Sequence, residues 1–288
     1  MKLALGTVQF GLNYGVANTA GRVTTDTADA ILRIAQLKGI DTLDTAIAYG
    51  DSESILGGLG VQGWKVVSKL PAVPEGCPNV AQWVRAQTQE SLQRLGLQRM
   101  YGLLLHRPGQ LLESFGADLY AALEDLKAEG LVSKVGVSVY GPAELDDLWS
   151  KYHVDLVQSP LSILDRNLVD SGWASRLKDA GVEIHTRSAF LQGLLLMPAD
   201  KRPDRFKRWT NIWQEWDSWL VATGLMPVQA CLRYLNSLDE IDRVVVGVDT
   251  VMQLNEILTA ANGVLDTLPA FKPLQDDLLI NPASWNKL

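Results

Sequence analysis

The feature of this sequence that most constrains its fold is an alternation of short apolar runs with longer amphipathic segments along 288 residues. Short and nearly continuous apolar runs are typical of parallel β-strands whose two faces are both covered. The segments between them have the spacing of amphipathic helices. The eight runs are Leu3–Val8, Asp41–Ala46, Trp64–Leu70, Met100–His106, Val132–Tyr140, Val154–Pro160, Val182–Phe190 and Asp242–Val248.

Capping residues and apolar spacing mark the helices. Asn79 can cap one helix, and Gly130 can end another whose apolar residues from Leu119 to Leu126 recur at helical spacing. Further helices are predicted near residues 26–38, 51–59, 142–151, 170–180, 226–237 and 250–262. Eight strands, each followed by a helix, predict an α/β fold of the (β/α)8 TIM barrel type, with a single domain over residues 1–288. A doubly wound open sheet is the competing architecture.

Two segments break the regular spacing. Residues 191–225, between strand seven and its helix, are too long for a tight turn, and we expect a long loop there. Residues 264–288 form a C-terminal tail beyond the last helix. Because long connections after the strands of a barrel lie on its catalytic face, the first segment is predicted to be functional.

Composition narrows the class of protein and its partners. The net charge of −7 argues against nucleic acid and anionic membranes, which attract basic surfaces. Cys77 and Cys231 form no CxxC pair, and no stretch of 18 or more apolar residues is present, so we expect a cytoplasmic protein. The three histidines have no ligand-like spacing, and we expect no metal site.

A glycine motif at residues 58–63 matches the GxGxxG pattern of dinucleotide-binding folds. That pattern binds a pyrophosphate only where the loop leaves a strand and opens a helix. Here the predicted helix precedes the motif and the strand follows it. The motif is therefore interpreted as the end of a helix and a turn.

Polar residues at the ends of three consecutive strands carry the chemistry. Asp44 ends strand two, Lys69 ends strand three, and His106 ends strand four, while Tyr49 lies on the loop after strand two. Each could have a purely structural role when taken alone. Adjacent parallel strands bring all four to one rim of a barrel, where barrel enzymes keep their catalytic residues.

These residues lie in segments that resemble the aldo-keto reductase family. Residues 41–50 followed by Glu53 resemble the family signature, and residues 67–70 and 104–108 resemble its next two strand ends. Residues 5–11 resemble its opening strand, and the resemblance extends to the last helix. It implies a nicotinamide-dependent oxidoreductase that reduces a small-molecule aldehyde or ketone.

By this resemblance Tyr49 is the proton donor, His106 orients and polarises the carbonyl, and Asp44 pairs with Lys69. A free tyrosine titrates near pH 10, which makes it a weak acid at neutral pH. A cation at about 4 Å in a medium of effective dielectric near 20 contributes roughly 4 kcal/mol. Lys69 would therefore favour the tyrosinate form and help Tyr49 to release its proton.

The resemblance also assigns a coenzyme site. Ser138 and Gln158 would hold the nicotinamide carboxamide, although Val139 stands where many relatives have Asn. Arg187 stands where the family commonly has a Tyr stacked on the nicotinamide, and a pyrophosphate-binding loop follows it. The full expected set is Gly6, Thr7, Asp44, Ser138, Gln158, Arg187, Ser188, Ala189, Phe190, Leu191, Gly193, Gly247, Asp249, Thr250, Gln253 and Glu256.

Residues 191–225 carry two clusters with two interpretations each. The basic cluster is either a solvated charge run or a cover that closes on the pyrophosphate. The aromatic residues at helical spacing form either core packing or a wall of the substrate pocket. The basic cluster is Lys201, Arg202, Arg205, Lys207 and Arg208, and the aromatic one is Phe206, Trp209, Trp213, Trp216 and Trp219.

The residues near the last helix bear on which coenzyme is bound, and two other functions stay possible. We expect NADP(H) with weakened selectivity over NAD(H), because Asp249 lies near the expected position of the 2′-phosphate and Ile257 replaces a common Asn. Thr250 can cap the last helix. The rivals are a Schiff-base aldolase with Lys69 as nucleophile, and a coenzyme-binding regulatory subunit with little turnover.

Overall fold

Eight parallel strands close into a barrel in chain order in the computed structural model, which describes residues 2–16, 18, 21–271, 274 and 276–287. This confirms the predicted TIM barrel and excludes the doubly wound sheet. The strands are shorter than the predicted apolar runs, because the runs continue into the loops above the barrel. They are β1 Leu3–Gly6, β2 Thr42–Asp44, β3 Lys65–Leu70, β4 Met100–Leu105, β5 Val132–Ser138, β6 Leu156–Pro160, β7 Glu183–Arg187 and β8 Arg243–Gly247.

Helices alternate with the strands and cover the outside of the barrel. The predicted helix near 170–180 is two short helices separated at Gly172, whose φ is +81°. The helices are α1 Val8–Gly11, α2 Thr25–Leu37, α3 Ser52–Leu59, α4 Val80–Leu95, α5 Gly116–Ala128, α6 Pro142–Trp149, α7 Asn167–Asp170, α8 Trp173–Asp179, α9 Thr210–Thr223, α10 Pro227–Asn236, α11 Val251–Ala260 and α12 Asp277–Ile280.

The helix ends follow the predicted capping residues. The side chain of Asn79 accepts a hydrogen bond from the Gln82 amide at the start of α4. The side chain of Thr250 accepts one from the Gln253 amide at the start of α11. Gly60 caps the end of α3 with a φ of +81°, so the glycine motif at 58–63 is a helix end and a turn, as predicted.

Strand register places the site inside the mouth of the barrel. Asp44 pairs with Val67 across β2 and β3, and Lys69, two residues further on, faces the same way because side chains alternate between faces. Ser138 and Gln158 pair directly across β5 and β6. The inward rows at the carboxyl ends of these strands therefore bring the four side chains together.

The connection after strand seven is long, as predicted, and most of residues 191–225 within it are helical. Three short 3-10 helices, 194–196, 199–201 and 204–209, lead into α9. Phe206, Trp213 and Trp216 are buried, and the Phe206 ring lies 4.8 Å from that of Trp285 in an edge-to-face contact. Packing of these aromatic residues against the tail holds the segment in place, which confirms the core interpretation of the aromatic cluster.

The tail is also ordered where it is described. It contains α12 and a final 3-10 helix, 282–287. Among the described residues, none of the helices has both the length and the apolarity that a membrane span requires.

Candidate active site

A buried ion pair forms the base of the site. Lys69 Nζ donates to the two carboxylate oxygens of Asp44 at 2.7 and 2.8 Å and to the carbonyl of Thr45 at 2.9 Å. Lys69 is 1% exposed and Asp44 is 5% exposed, so both charges are removed from water. Three acceptors match the three protons of an ammonium group, which is how a buried charge is stabilised.

The charge on Lys69 is maintained by its surroundings. Burial acts to lower the pKa of Lys69, but the charges of Asp44 and Tyr49 and the hydrogen bond to Asp44 outweigh it and raise that pKa above its ordinary value. Lys69 is therefore a fixed cation at neutral pH. Gln158 Nε2 also donates to Asp44 Oδ1 at 2.6 Å, which holds the carboxylate from a second side.

Tyr49 and His106 lie around this cation. The Tyr49 ring centroid is 5.1 Å from Lys69 Nζ, and the Tyr49 and His106 rings meet edge to face at 6.1 Å. Burial and the charges of Lys69 and Arg187 lower the pKa of His106 to about 4. The imidazole is therefore neutral at physiological pH, and a neutral imidazole can donate one hydrogen bond to a carbonyl oxygen.

Tyr49 is positioned by glycines that the sequence analysis did not select. A Cβ on Gly11 would lie 1.8 Å from the Tyr49 carbonyl oxygen, and one on Gly50 would lie 2.7 Å from the Gly11 carbonyl oxygen. Gly50 has a φ of +55°, which favours glycine. The loop after β2 thus rests directly on α1. Two features of the sequence could have identified these glycines. Gly50 directly follows Tyr49, and Gly11 ends the segment 5–11 that resembles the opening strand of the family.

Two buried side chains behind the loop fix α3. Ser52 Oγ donates to the Thr7 carbonyl at 2.9 Å and contacts the Thr7 hydroxyl at 2.9 Å. Glu53 accepts hydrogen bonds from Ser68 and Ser91 at 2.6 Å each and from Arg94 at 2.8 Å. Glu53 belongs to the motif that carried the family resemblance. The structure places it behind the Tyr49 loop, where its hydrogen bonds connect α3 to β3 and α4.

A cavity of about 700 Å³ opens above these residues. Tyr49, His106 and Asp44 line it, whereas Lys69 lies beneath its wall. Most of the expected coenzyme residues line it too, namely Gly6, Thr7, Ser138, Gln158, Arg187, Ser188, Ala189, Phe190, Gly193, Gly247, Asp249, Gln253 and Glu256. Two do not. Leu191 is fully buried in the core, and Thr250 caps α11.

The cavity also has walls that the sequence analysis missed. Gln9 and Tyr14 line it from the segment after β1, and Gln192 and Met226 line it from the segment after β7. Residues 281–283 of the tail close it on another side. These residues had no strand-end pattern, because they reach the cavity through the tertiary packing of the connections.

The cavity wall fits a nicotinamide coenzyme in its donors and acceptors. Ser138 Oγ and Gln158 Oε1 lie 3.4 Å apart at neighbouring strand ends. Gln9 Oε1 is buried and has no hydrogen-bond partner among the described residues, so the wall offers an unused acceptor. The Gln9 side chain can take this position only because residue 247 is glycine, since a Cβ on Gly247 would lie 2.1 Å from Gln9 Nε2.

The turn after β7 is held in an unusual backbone conformation. Ser188, Leu191 and Gln192 have φ values of +63°, +45° and +53°, although none is glycine. Left-handed non-glycine residues cost free energy and are concentrated at functional sites. The buried side chain of Leu191 anchors the turn, which follows the strand end where the resemblance expects the coenzyme pyrophosphate.

The basic cluster of the segment after β7 does not reach the cavity. None of its five side chains lines the cavity. Arg202 pairs with Asp217 and lies over the Trp213 ring, and Lys207 pairs with Asp204. The remaining members contact residues of their own segment. The structure therefore does not support a role for this cluster as a pyrophosphate cover.

Comparison with known proteins shows the family to which this sequence is similar. The sequence matches the Aldo/keto reductase family over residues 2–268. It is 25% identical over 260 residues to an uncharacterised oxidoreductase from Bacillus subtilis strain 168, covering 82% of this chain and 83% of the relative. It is 29% identical over 235 residues to a D-threo-aldose 1-dehydrogenase from a Pseudomonas species, covering 68% of this chain and 70% of the relative.

Solved structures show the same fold. An aldo-keto reductase from Bacillus halodurans, in its holo form, matches with a TM-score of 0.73 at 20% identity, covering 92% of this chain and 88% of that one. The family match spans nearly the whole sequence, and the barrel is the one these proteins share. The chain therefore belongs to the aldo/keto reductase family of oxidoreductases, which use nicotinamide coenzymes.

Proposed function

We propose that the protein reduces an aldehyde or ketone to an alcohol with a nicotinamide coenzyme, and that Tyr49 is the proton donor. The observation that carries the proposal is the buried Asp44–Lys69 pair directly below Tyr49, with His106 beside the same ring. A cation fixed at this distance stabilises the phenolate that remains after the proton has left. The arrangement suits proton transfer into the cavity above.

Each of these residues has a separate role in the reduction of a carbonyl group. The coenzyme, when bound, supplies a hydride to the carbonyl carbon. His106, as a neutral imidazole, donates a hydrogen bond that holds and polarises the carbonyl oxygen. Tyr49 gives its hydroxyl proton to that oxygen, so the carbonyl becomes an alcohol and Tyr49 becomes a phenolate beside Lys69. Asp44 keeps Lys69 charged and in place throughout.

The geometry disfavours a Schiff-base aldolase. Such a mechanism needs a neutral lysine amine that can attack a carbonyl carbon. Lys69 instead makes hydrogen bonds to three acceptors, and its pKa is raised above the ordinary value. It also lies beneath the cavity wall. A regulatory subunit with little turnover stays as the second candidate, since coenzyme binding alone would satisfy most of the same contacts.

For the coenzyme we propose NADP(H) with weak selectivity over NAD(H). The start of α11 lies at the cavity, and the positive end of a helix dipole favours a phosphate. Asp249 and Glu256 line the same end of the cavity, and Arg187 is the one lysine or arginine among the described lining residues. Burial raises the pKa of Asp249. A 2′-phosphate would therefore bind more weakly, because two carboxyl groups repel it and the described lining residues place no cation beside them.

The substrate is proposed to be a small-molecule carbonyl compound met in the cytoplasm. The cavity combines polar groups, such as Gln192 and the Tyr14 hydroxyl that it contacts at 3.2 Å, with apolar walls. A related protein is named as a D-threo-aldose 1-dehydrogenase, which makes aldoses sensible test compounds for oxidation as well as reduction.

The test is a panel of aldehydes, ketones and aldoses assayed in both directions with each of the two coenzymes. The proposal expects turnover of at least one carbonyl compound with NADPH, and a lower kcat/KM with NADH. Tight coenzyme binding without turnover of any compound would favour the regulatory subunit. A higher kcat/KM with NADH than with NADPH would contradict the proposed coenzyme preference.

A further inference from the structure

Arg187 is the last residue of β7 and reaches across the mouth of the barrel. Its Nη2 donates to the carbonyl of Val139 at 3.0 Å, and its guanidinium carbon lies 4.8 Å from the centroid of the Tyr140 ring. Both partners directly follow β5, two strands away. The guanidinium therefore spans the end of β6 and lies next to Ser138 and Gln158, the pair proposed to hold the nicotinamide carboxamide.

Among the described residues, none forms an ion pair that neutralises the positive charge of Arg187. Within the described parts of the chain, no carboxylate lies within 4.0 Å of its guanidinium. Lys69, the other cation nearby, is paired with Asp44 and lies under the wall. An aromatic ring and a backbone carbonyl hold Arg187 in place but leave its full charge at the cavity surface.

The field of this charge reaches the groups around the cavity. After burial and Lys69, Arg187 is the next largest cause of the lowered pKa of His106. Asp165 also senses it: burial raises the pKa of that carboxyl to about 6, and Arg187 opposes the rise without forming an ion pair. The charge thus acts through space on the part of the cavity where the chemistry is proposed.

We propose that Arg187 makes the protein bind reduced coenzyme in preference to oxidised coenzyme. This rests on the proposed function. The oxidised nicotinamide ring carries a positive charge that the reduced ring lacks, and an unpaired cation at the carboxamide end repels only the charged ring. The phosphates are identical in both forms, so any attraction between them and Arg187 cancels in the comparison. Because hydride release leaves the charged ring in the site, the same repulsion opposes that step on the protein and promotes dissociation of the oxidised coenzyme afterwards.

The test measures binding alone and needs no substrate. Dissociation constants of NADPH, NADP+, NADH and NAD+ are measured by calorimetry for the wild type, for Arg187→Met and for Arg187→Lys. Met removes the charge while keeping an unbranched side chain, and Lys keeps the charge. We expect the ratio of the oxidised to the reduced Kd to fall at least about threefold in Arg187→Met and to change less than about twofold in Arg187→Lys.

An unchanged or increased ratio in Arg187→Met would overturn the inference. If that variant does not fold, Arg187→Gln gives the same comparison with a polar side chain that can still donate to the Val139 carbonyl. Failure of the wild type to bind any of the four coenzymes would contradict the proposed function and this inference together. Binding with an unaltered ratio would overturn this inference alone.

Discussion

Removing the Lys69 amine is the perturbation whose outcome the structure defines most closely. Lys69→Met keeps a side chain of similar length but leaves the Asp44 carboxylate with the Gln158 amide at 2.6 Å as its remaining side-chain partner among the described residues. Asp44 is 5% exposed, so its charge is largely removed from water. Breaking a buried ion pair from one side costs roughly 3–5 kcal/mol of the free energy of unfolding.

The matched control removes both charges. In the double variant Asp44→Asn/Lys69→Met no buried charge is left uncompensated, so most of the lost stability should return, to within about 1–2 kcal/mol of the wild type. Chemical denaturation measures the free energy of unfolding of all three proteins. Carbonyl reduction should be lost in the single and the double variant alike, because both remove the cation 5.1 Å from the Tyr49 ring.

The loss of unfolding free energy in Lys69→Met, its stability deficit, depends on pH in a way that follows from the raised pKa of Lys69. A group whose pKa is raised in the folded state contributes stability that is fully present below its unfolded value of 10.5 and lost only as the pH rises through the folded value. The deficit of Lys69→Met should therefore be constant between about pH 6 and pH 9. A deficit below about 1 kcal/mol, or a double variant as unstable as the single one, would refute the account of the pair.

Four further outcomes are expected. Because the pKa of His106 is held at about 4, kcat/KM should show no limb with a midpoint near pH 6.5, and such a limb would contradict a neutral imidazole. Asp165→Asn should stabilise the protein by at least about 1 kcal/mol more at pH 8 than at pH 5. The reason is that burial raises the pKa of Asp165 to about 6, so that ionisation of this carboxyl opposes folding. Equal effects on the free energy of unfolding at both pH values would rule this out. Gly11→Ala should lower kcat at least about tenfold with little change in coenzyme Kd, because its Cβ would displace the Tyr49 loop, and an unaltered kcat would show that the loop tolerates the shift. Asp249→Ser should raise the ratio of the kcat/KM values for NADPH and NADH, and a falling ratio would place Asp249 away from the 2′-phosphate.

The barrel and the four residues at its rim follow from the sequence because both depend on local pattern. Parallel strands that are covered on both faces appear as apolar runs, and a charged residue such as Lys69 at the end of such a run stands out. Strand order then brings Asp44 and His106 to the same rim without further information. The register confirmed that geometry for the Asp44–Lys69 pair.

The segment after β7 could not be predicted in the same way. Its short 3-10 helices are held by contacts between residues far apart in the sequence, such as Phe206 with Trp285. The sequence left two interpretations of the basic cluster open for the same reason, because the pairing of Arg202 with Asp217 in α9 depends on tertiary packing. The cavity wall formed by residues 281–283 had no periodic pattern, since it depends on where the tail docks.

The central claim is that Tyr49 donates the proton, and Tyr49→Phe tests it most directly. The phenyl ring keeps the edge-to-face contact with His106 and the position over Lys69, while the hydroxyl is lost. Single-turnover and steady-state assays on the best carbonyl substrate should show nearly complete loss of kcat, with coenzyme Kd within about twofold of the wild type. A variant that retained more than about a tenth of the wild-type kcat would contradict the claim.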